Sequence, residues 1–163
     1  MHFRTEHRFR GPPDEVARVL ADPAFHLSLR LPDLSLPDLL DQRADGQSTT
    51  LVLRYEFTGS LDPLARRLLG SHRLTWVQEL AVRTMPAAGT IRYHAEQGPE
   101  RLRGAATFTL EPAPAGGSVR RLEGTLAVGV PLVGGMAERR IVGGLLRRLD
   151  LEAAAVDERL AHR

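Results

Sequence analysis

Residues 136–160 read MAERRIVGGLLRRLDLEAAAVDERL and carry the strongest structural signal in the chain. Apolar residues recur in this stretch every three or four positions, which places them along one stripe of a helix: Ile141, Leu145, Leu149, Ala153, Val156 and Leu160. A helix with one apolar stripe must bury that stripe against another part of the protein. The pattern therefore predicts a long C-terminal helix over residues 133–160 that packs on the preceding part of the chain.

Most of the chain before this helix alternates apolar and polar residues with a period of two, as strands with one buried face do. The alternation predicts six strands, over residues 2–10, 49–58, 73–83, 90–96, 102–110 and 119–130. Turn residues fall between these runs and predict hairpins, at Gly46, Gly89, Gly98 and Gly116-Gly117. The helix therefore has an antiparallel sheet as its expected partner.

A short helical segment is predicted between two of the strands, over residues 61–70 (LDPLARRLLG). Asp62 is a typical helix cap, Pro63 suits the first helical position, and Gly70 is a typical closing residue. Two interpretations of this insert stay open. It is either a surface connector or a lid over one end of a cavity.

Composition limits the class of protein. A length of 163 residues predicts a single domain, 1–163, large enough for a core without disulfides or metal. The absence of cysteine excludes disulfides and thiol catalysis. The formal charge is only +2, and acidic residues are interspersed with the arginines, whereas nucleic-acid binders concentrate positive charge on one face. We therefore expect no nucleic-acid partner.

The sequence also carries no membrane or export signal that we can identify. The first residues, MHFRTE, are charged where a signal peptide would be apolar. The longest uncharged stretch, residues 124–137, is shorter than the roughly 20 residues of a membrane span. We expect a cytoplasmic protein without stable membrane insertion.

The predicted order of a strand, two short helices, about six strands and one long helix resembles the START-like superfamily, also called the SRPBCC or helix-grip fold. The opening strand followed by GPPDEV (11–16) and LADPAF (20–25) looks like the start of polyketide-cyclase-like members. Three other stretches look like an uncharacterised bacterial branch: RYEFTG (54–59), LTWVQE (74–79) and PLVGGMAERR (131–140). The resemblance implies an α+β fold in which a curved antiparallel sheet of about six to seven strands wraps around the C-terminal helix.

The resemblance also implies a cavity between the sheet and the helix, with the 61–70 insert near its mouth. Relatives carry lipids, sterols, polyketides and other apolar molecules, and some are enzymes. The residues expected to contact a hydrophobic small-molecule ligand are Thr5, His7, Leu53, Tyr55, Phe57, Trp76, Gln78, Tyr93, Phe108, Leu126, Val142 and Leu146. Small residues share the inward faces and either leave space beside the aromatic rings or interdigitate with them: Ala95, Gly104, Ala106 and Gly124.

Five of these inward residues are polar: Thr5, His7, Tyr55, Gln78 and Tyr93. A buried polar group must be hydrogen-bonded, so together they are candidates to orient a ligand with one polar end. The alternative is structural, with His7 bonded inside the core or at the sheet edge and Gln78 bonded to the backbone.

The chain contains no recognisable catalytic motif. Its six histidines lack metal-ligand spacing such as H-E-x-x-H, and neither G-x-S-x-G nor a Gly-rich phosphate loop is present. We therefore predict ligand binding with no metal and no cofactor. One alternative is a cyclase or aromatase that uses His7 or Tyr55 as general acid or base. Another is a protein-interaction scaffold with a filled core and an unknown protein partner.

Two features of the C-terminal helix have two interpretations each. Gly143-Gly144 indicates either close packing on the sheet, which we favour, or a point where the helix bends to admit a ligand. The pairs Arg139-Arg140 and Arg147-Arg148 are expected on a solvated face, and the alternative is contact with anionic lipid. The reason for that expectation is the surrounding acidic residues: Glu138, Asp150, Glu152, Asp157 and Glu158.

Overall fold

The computed structural model describes residues 1–61, 63, 66–67, 73–129 and 134–162. The strands are β1 His2–Phe9, β2 Asp38–Ala44, β3 Ser48–Glu56, β4 Thr75–Thr84, β5 Ala87–Ala95, β6 Leu102–Pro112 and β7 Ser118–Val128. The helices are α1 Pro13–Ala21, α2 Pro23–Ser28 and α3 Gly134–Ala161. Most of the insert predicted over 61–70, and the segment 130–133 with the predicted helix start at Val133, lie outside the described residues.

The seven strands form one antiparallel sheet in the order β1-β7-β6-β5-β4-β3-β2. The alternation read from the sequence matches the register, because inward residues such as Leu53, Gln78 and Tyr93 lie beside one another on adjacent strands. The sheet curves, and α3 lies against its concave face, which is the predicted α+β helix-grip arrangement. The predicted fold class is therefore confirmed.

α3 packs on the sheet through the predicted stripe, since Leu145, Leu149, Ala153 and Val156 are buried. Polar contacts hold both of its ends. Near the start, Glu138 accepts a hydrogen bond from the Val128 amide at 3.0 Å. Near its C-terminal end, Arg159 donates a hydrogen bond to Asp22 Oδ2 at 3.0 Å. The helix therefore runs from the end of β7 towards α1. Within the described ranges, no helix combines the length and the apolar character that crossing a membrane requires.

α1 and α2 close the opposite end of the sheet from the start of α3. Val16, Ala17, Val19 and Leu20 of α1 are at most 1% exposed. Asp22 caps α2, as its sequence predicts, by accepting a hydrogen bond from the Ala24 amide at 2.9 Å. This end of the interior is therefore filled by apolar side chains together with the buried His26 of α2, whose Nε2 lies 2.7 Å from the Leu20 carbonyl oxygen.

Two predictions about the strands are wrong. β2 was not predicted, because its residues are exposed apart from half-buried Leu39, and a strand without a buried face has no alternation to read. Gly89 does not form a hairpin turn; it lies inside β5, and Met85 and Pro86 make the turn. A side chain at position 89 would collide with the Phe108 ring, which lies directly over this glycine.

The small inward residues of the sheet interdigitate with their neighbours. A Cβ atom at Gly104 would lie 3.4 Å from the Tyr93 ring and 3.0 Å from the carbonyl oxygen of Thr125. At Gly124 it would lie 2.6 Å from the Ala106 methyl group. Of the two alternatives for these positions, interdigitation therefore holds over β5, β6 and β7.

Gly143 and Gly144 in the middle of α3 have no such neighbours among the described residues. Of the described side chains, a Cβ atom at Gly143 or Gly144 would meet the flexible guanidinium of Arg147 alone, at 3.6 and 3.9 Å, which are ordinary contact distances. The favoured interpretation, close packing on the sheet, is therefore wrong. Both glycines leave the helix with more backbone freedom than alanine would.

We expect Gly143→Ala and Gly144→Ala each to raise the free energy of unfolding by about 0.5–1 kcal/mol, because alanine fits the space and restricts the unfolded chain. Gly124→Ala should lower it, because its Cβ atom would overlap the Ala106 methyl group. Urea denaturation of the three variants measures this difference. Loss of stability in the α3 variants would contradict the open space seen beside them.

Candidate ligand-binding site

The interior between the sheet and α3 contains charged side chains. Arg120, Arg148 and Glu152 are 1%, 8% and 4% exposed, respectively. The prediction of a solvated face is therefore wrong for Arg148 and Glu152, although Arg139, Arg140 and Arg147 are exposed. The physical reason is helical periodicity: positions 148 and 152 each lie three residues after a buried leucine, Leu145 or Leu149, and so share its face.

The first polar cluster, Arg120, Glu152, His7 and Asp150, joins β7, α3 and β1. Arg120 Nη1 donates to Glu152 Oε1 at 2.8 Å, and its Nη2 donates to His7 Nδ1 at 3.2 Å. His7 Nε2 lies 2.9 Å from Asp150 Oδ1. Because arginine only donates, His7 accepts at Nδ1 and carries its hydrogen on Nε2, which is the neutral tautomer. Every member of this cluster is thus engaged by another member.

Burial and neighbouring charge set the protonation states of this cluster. Burial lowers the pKa of His7, and the positive charge of Arg120 lowers it further. Burial acts to raise the pKa of Glu152, but the surrounding positive charges, Arg120 first, and the hydrogen bond from Arg120 together outweigh it, so the pKa lies below its usual value. The interior therefore holds a neutral His7 and an ionised Glu152.

Among the described residues, no three His, Asp or Glu side chains are placed to bind a metal.

The second polar cluster, Arg148, Gln78, Tyr55 and Tyr93, lies nearer the start of α3. Arg148 Nη2 donates to Gln78 Oε1 at 2.8 Å. The guanidinium carbon of Arg148 lies 4.3 Å from the centre of the Tyr55 ring, within cation–π range. Tyr93 lies opposite Gln78 on β5. Burial raises the pKa of both tyrosines, so both hydroxyls remain protonated at neutral pH.

A group of half-buried apolar side chains surrounds the end of the sheet where α3 begins. We call it the apolar rim: Trp76, Leu102, Val128, Ile141 and Leu146. Its sheet members lie at the start of β4 and β6 and at the end of β7, which an antiparallel sheet brings to the same end. Trp76 stacks on Tyr55, with ring centres 5.7 Å apart and planes 15° apart. The second polar cluster therefore lies directly inside the rim.

The predicted site residues divide by burial. The buried ones are His7, Leu53, Tyr55, Gln78, Tyr93, Phe108, Leu126 and Val142, and the half-buried ones are Thr5, Phe57, Trp76 and Leu146. The structure brings Tyr55, Gln78 and Tyr93 together around Arg148. It places His7 with Arg120 instead, so the two residues of the enzyme alternative, His7 and Tyr55, contact different partners.

Sequence reasoning missed the three charged residues of the interior, although a signal for each was present. Arg120 is separated from Leu122 and Leu126 of β7 by even numbers of residues, so its side chain points to the same inward face as theirs. Arg148 and Glu152 lie on the apolar stripe of α3. The residue types predicted that these side chains lie in solvent, since arginine and glutamate are seldom fully buried. The periodicity predicted that they lie in the interior. Periodicity was the correct guide.

An open depression with a volume of about 640 Å³ lies on the other face of the sheet. Its outward-facing lining residues are Arg4, Glu6, Thr107, Thr109, Arg121 and Glu123. Arg121 pairs there with Glu6 at 3.3 Å and with Glu111 at 2.6 Å. This depression is therefore separate from the pocket predicted between the sheet and α3.

We expect the free energy of unfolding to fall as the pH drops below about 6.5, the usual histidine value. The pKa values of His7 and His26 are both lowered in the folded protein. As the pH falls, these histidines therefore take up protons more readily in the unfolded chain than in the folded protein, and the unfolded state is stabilised relative to the folded state. His7→Gln should reduce the slope of the free energy of unfolding against pH by up to about 1.4 kcal/mol per pH unit. Urea titrations at several pH values test this, with exposed His94→Gln as the control. An unchanged slope in His7→Gln would contradict the assignment of a neutral His7.

Glu152→Gln should lower the free energy of unfolding by about 3–5 kcal/mol, because it leaves Arg120 buried without its carboxylate partner. Glu158→Gln, at an exposed position of the same helix, is the matched control and should change little. Denaturant unfolding measures both. Equal stability of the two variants would show that the buried ion pair does not hold α3 in place.

Comparison with solved structures finds the same architecture over almost the whole chain. A protein of Thermus thermophilus is 17% identical, with a TM-score of 0.65 and coverage of 99% of this chain and 98% of that one. Ara h 8.0201 is 14% identical, with a TM-score of 0.65 and coverage of 100% and 99%. A START superfamily protein of Mycobacterium smegmatis is 15% identical, with a TM-score of 0.56 and coverage of 99% and 97%. At these identities the likeness shows the fold, which is START-like.

Sequence comparisons assign the chain to a family without assigning an activity. No curated protein gave a significant match. One family profile, described as "Protein of unknown function (DUF2505)", matches residues 4–160 and so spans all ten described helices and strands almost completely. The chain is therefore a member of the DUF2505 family, built on the START-like helix-grip fold.

Proposed function

We propose that this protein binds a hydrophobic or amphipathic small molecule between the concave face of the sheet and α3. The observation that carries the proposal is the apolar rim with a polar cluster directly inside it. Small-molecule sites are typically lined by apolar and aromatic side chains with a few polar groups that orient the ligand. The rim supplies the first kind of group, and Tyr55, Gln78 and Tyr93 supply the second.

The burial of the rim supports this position for the ligand. Burying apolar surface contributes about 25 cal/mol per Å², so a core closed on itself would cover these side chains fully. Trp76, Leu102 and Leu146 instead remain half-buried at one end, while the opposite end is filled by α1. A bound apolar molecule would cover the rim and gain this free energy.

A neutral fluorescent probe, N-phenyl-1-naphthylamine, tests the proposal without involving any charge. We expect binding with a Kd on the order of micromolar, quenching the fluorescence of Trp76, the single tryptophan. Leu146→Gln should weaken binding about tenfold, because it removes apolar surface from the rim. Native mass spectrometry with organic extraction would then identify what the purified protein carries.

The matched control is Leu151→Gln, which changes a 45% exposed leucine on the same helix. Its affinity for the probe should equal that of the unmodified protein. No binding by the unmodified protein, or equal binding by both variants, would overturn the proposed site.

A further inference from the structure

Arg148 is a buried cation without a carboxylate of its own. Among the residues that the structure describes, the buried charged groups are two guanidinium groups, Arg120 and Arg148, and one carboxylate, Glu152. Glu152 pairs with Arg120 at 2.8 Å, and within the described chain no carboxylate forms an ion pair with Arg148. One positive charge is therefore left over in a region of low dielectric, where an uncompensated charge is strongly disfavoured.

The hydrogen bonds of Arg148 are also incomplete. The side chain is 8% exposed, its Nη2 donates to the neutral amide oxygen of Gln78, and its guanidinium also hydrogen-bonds the Tyr55 hydroxyl. Its Nε–H has no acceptor among the described residues. Buried donors are rarely left without a partner, so an orphaned donor beside an uncompensated charge indicates a missing acceptor of negative charge.

The neighbours of Arg148 suit the head group of a ligand. Tyr55, Gln78 and Tyr93 lie on three adjacent strands and face the same helix position. The tyrosine hydroxyls are protonated at neutral pH and are able to donate hydrogen bonds. The apolar rim lies directly beside them through the stacked pair of Trp76 and Tyr55. The guanidinium of Arg148, the tyrosine hydroxyls and the apolar rim thus lie next to one another, in this order.

Arg120 does not offer a second such site. Its guanidinium binds Glu152 and His7 and lies over the rings of Phe9 and Phe108, at 5.7 and 6.0 Å. Its Nε–H also has no acceptor among the described residues, but its charge is balanced by Glu152. Within the described chain, Arg148 is therefore the buried arginine that lacks both an acceptor for its Nε–H and a carboxylate partner.

We propose that Arg148 binds the carboxylate of a monoanionic amphipathic ligand, whose apolar chain lies along the rim. This inference rests on the proposed function and adds the chemical class of the ligand to it. A single excess positive charge matches one carboxylate, whereas a phosphate monoester carries about −1.5 to −2 charges. The guanidinium is also the side chain best suited to a carboxylate, since its N–H groups match the two oxygens.

The test compares two ligands that differ only in the head group, dodecanoate and dodecanol, by displacement of N-phenyl-1-naphthylamine at about pH 8, where a carboxyl group is ionised. We expect dodecanoate to bind about tenfold or more tightly than dodecanol. In Arg148→Met, this preference should disappear while dodecanol still binds. Arg147→Met, one residue earlier and exposed, should keep the preference.

The outcomes separate this inference from the proposed function. If the probe and dodecanol bind but dodecanoate has no advantage, the carboxylate inference is overturned and the apolar site stands. If neither the probe nor dodecanol binds, the proposed function fails and the inference fails with it. Loss of the preference in both arginine variants would assign it to general surface charge and overturn the role of Arg148.

A second measurement does not depend on the variant folding. Dodecanoate labelled with carbon-13 at its carboxyl group reports the pKa of that group when bound to the unmodified protein. A guanidinium beside the carboxylate should hold its pKa well below the value in water. A pKa equal to or above the value in water would overturn the inference.

Discussion

The ion pair of Arg120 and Glu152 is the interaction on which the placement of α3 depends. Its two partners come from β7 and α3, 32 residues apart, and both are almost completely buried. Removing two charges from water is expensive, and the attraction between them offsets that expense only when the geometry is good. The helix therefore has little freedom to rotate or slide on the sheet. His7 and Asp150 extend the same constraint to β1.

This constraint divides the interior into two regions with different properties. Towards α1 the space is filled mainly by apolar side chains, and the buried charges of Arg120 and Glu152 balance one another. Towards the start of α3, the second polar cluster carries an excess positive charge and lies beside half-buried apolar groups. A ligand in the second region would satisfy groups that the protein itself leaves unsatisfied, and would leave the anchoring pair untouched.

The glycines follow the same division. In the sheet a side chain would collide with a neighbour, so glycine is required, as at Gly89 under the Phe108 ring and at Gly124 beside Ala106. Gly143 and Gly144 lie in the part of α3 that precedes Arg148, and no described residue lies close enough to require a glycine there. Two residues of low helix propensity thus lie beside the region that we propose for the ligand, and the buried ion pair lies further along the helix.

The sequence by itself determined which faces are buried. Alternation placed Tyr55, Gln78 and Tyr93 inward, and the stripe of α3 placed Leu145 and Leu149 inward, because side-chain direction follows from local backbone geometry. It was silent where no face is buried, as in β2. Periodicity placed Arg148 and Glu152 on the inward stripe as well, but only the tertiary structure decided that charged side chains are accommodated there and which charge each one meets. Those contacts join residues far apart in the chain, as between His7 and Arg120, and the balance of desolvation and attraction exists only once the partners are in place.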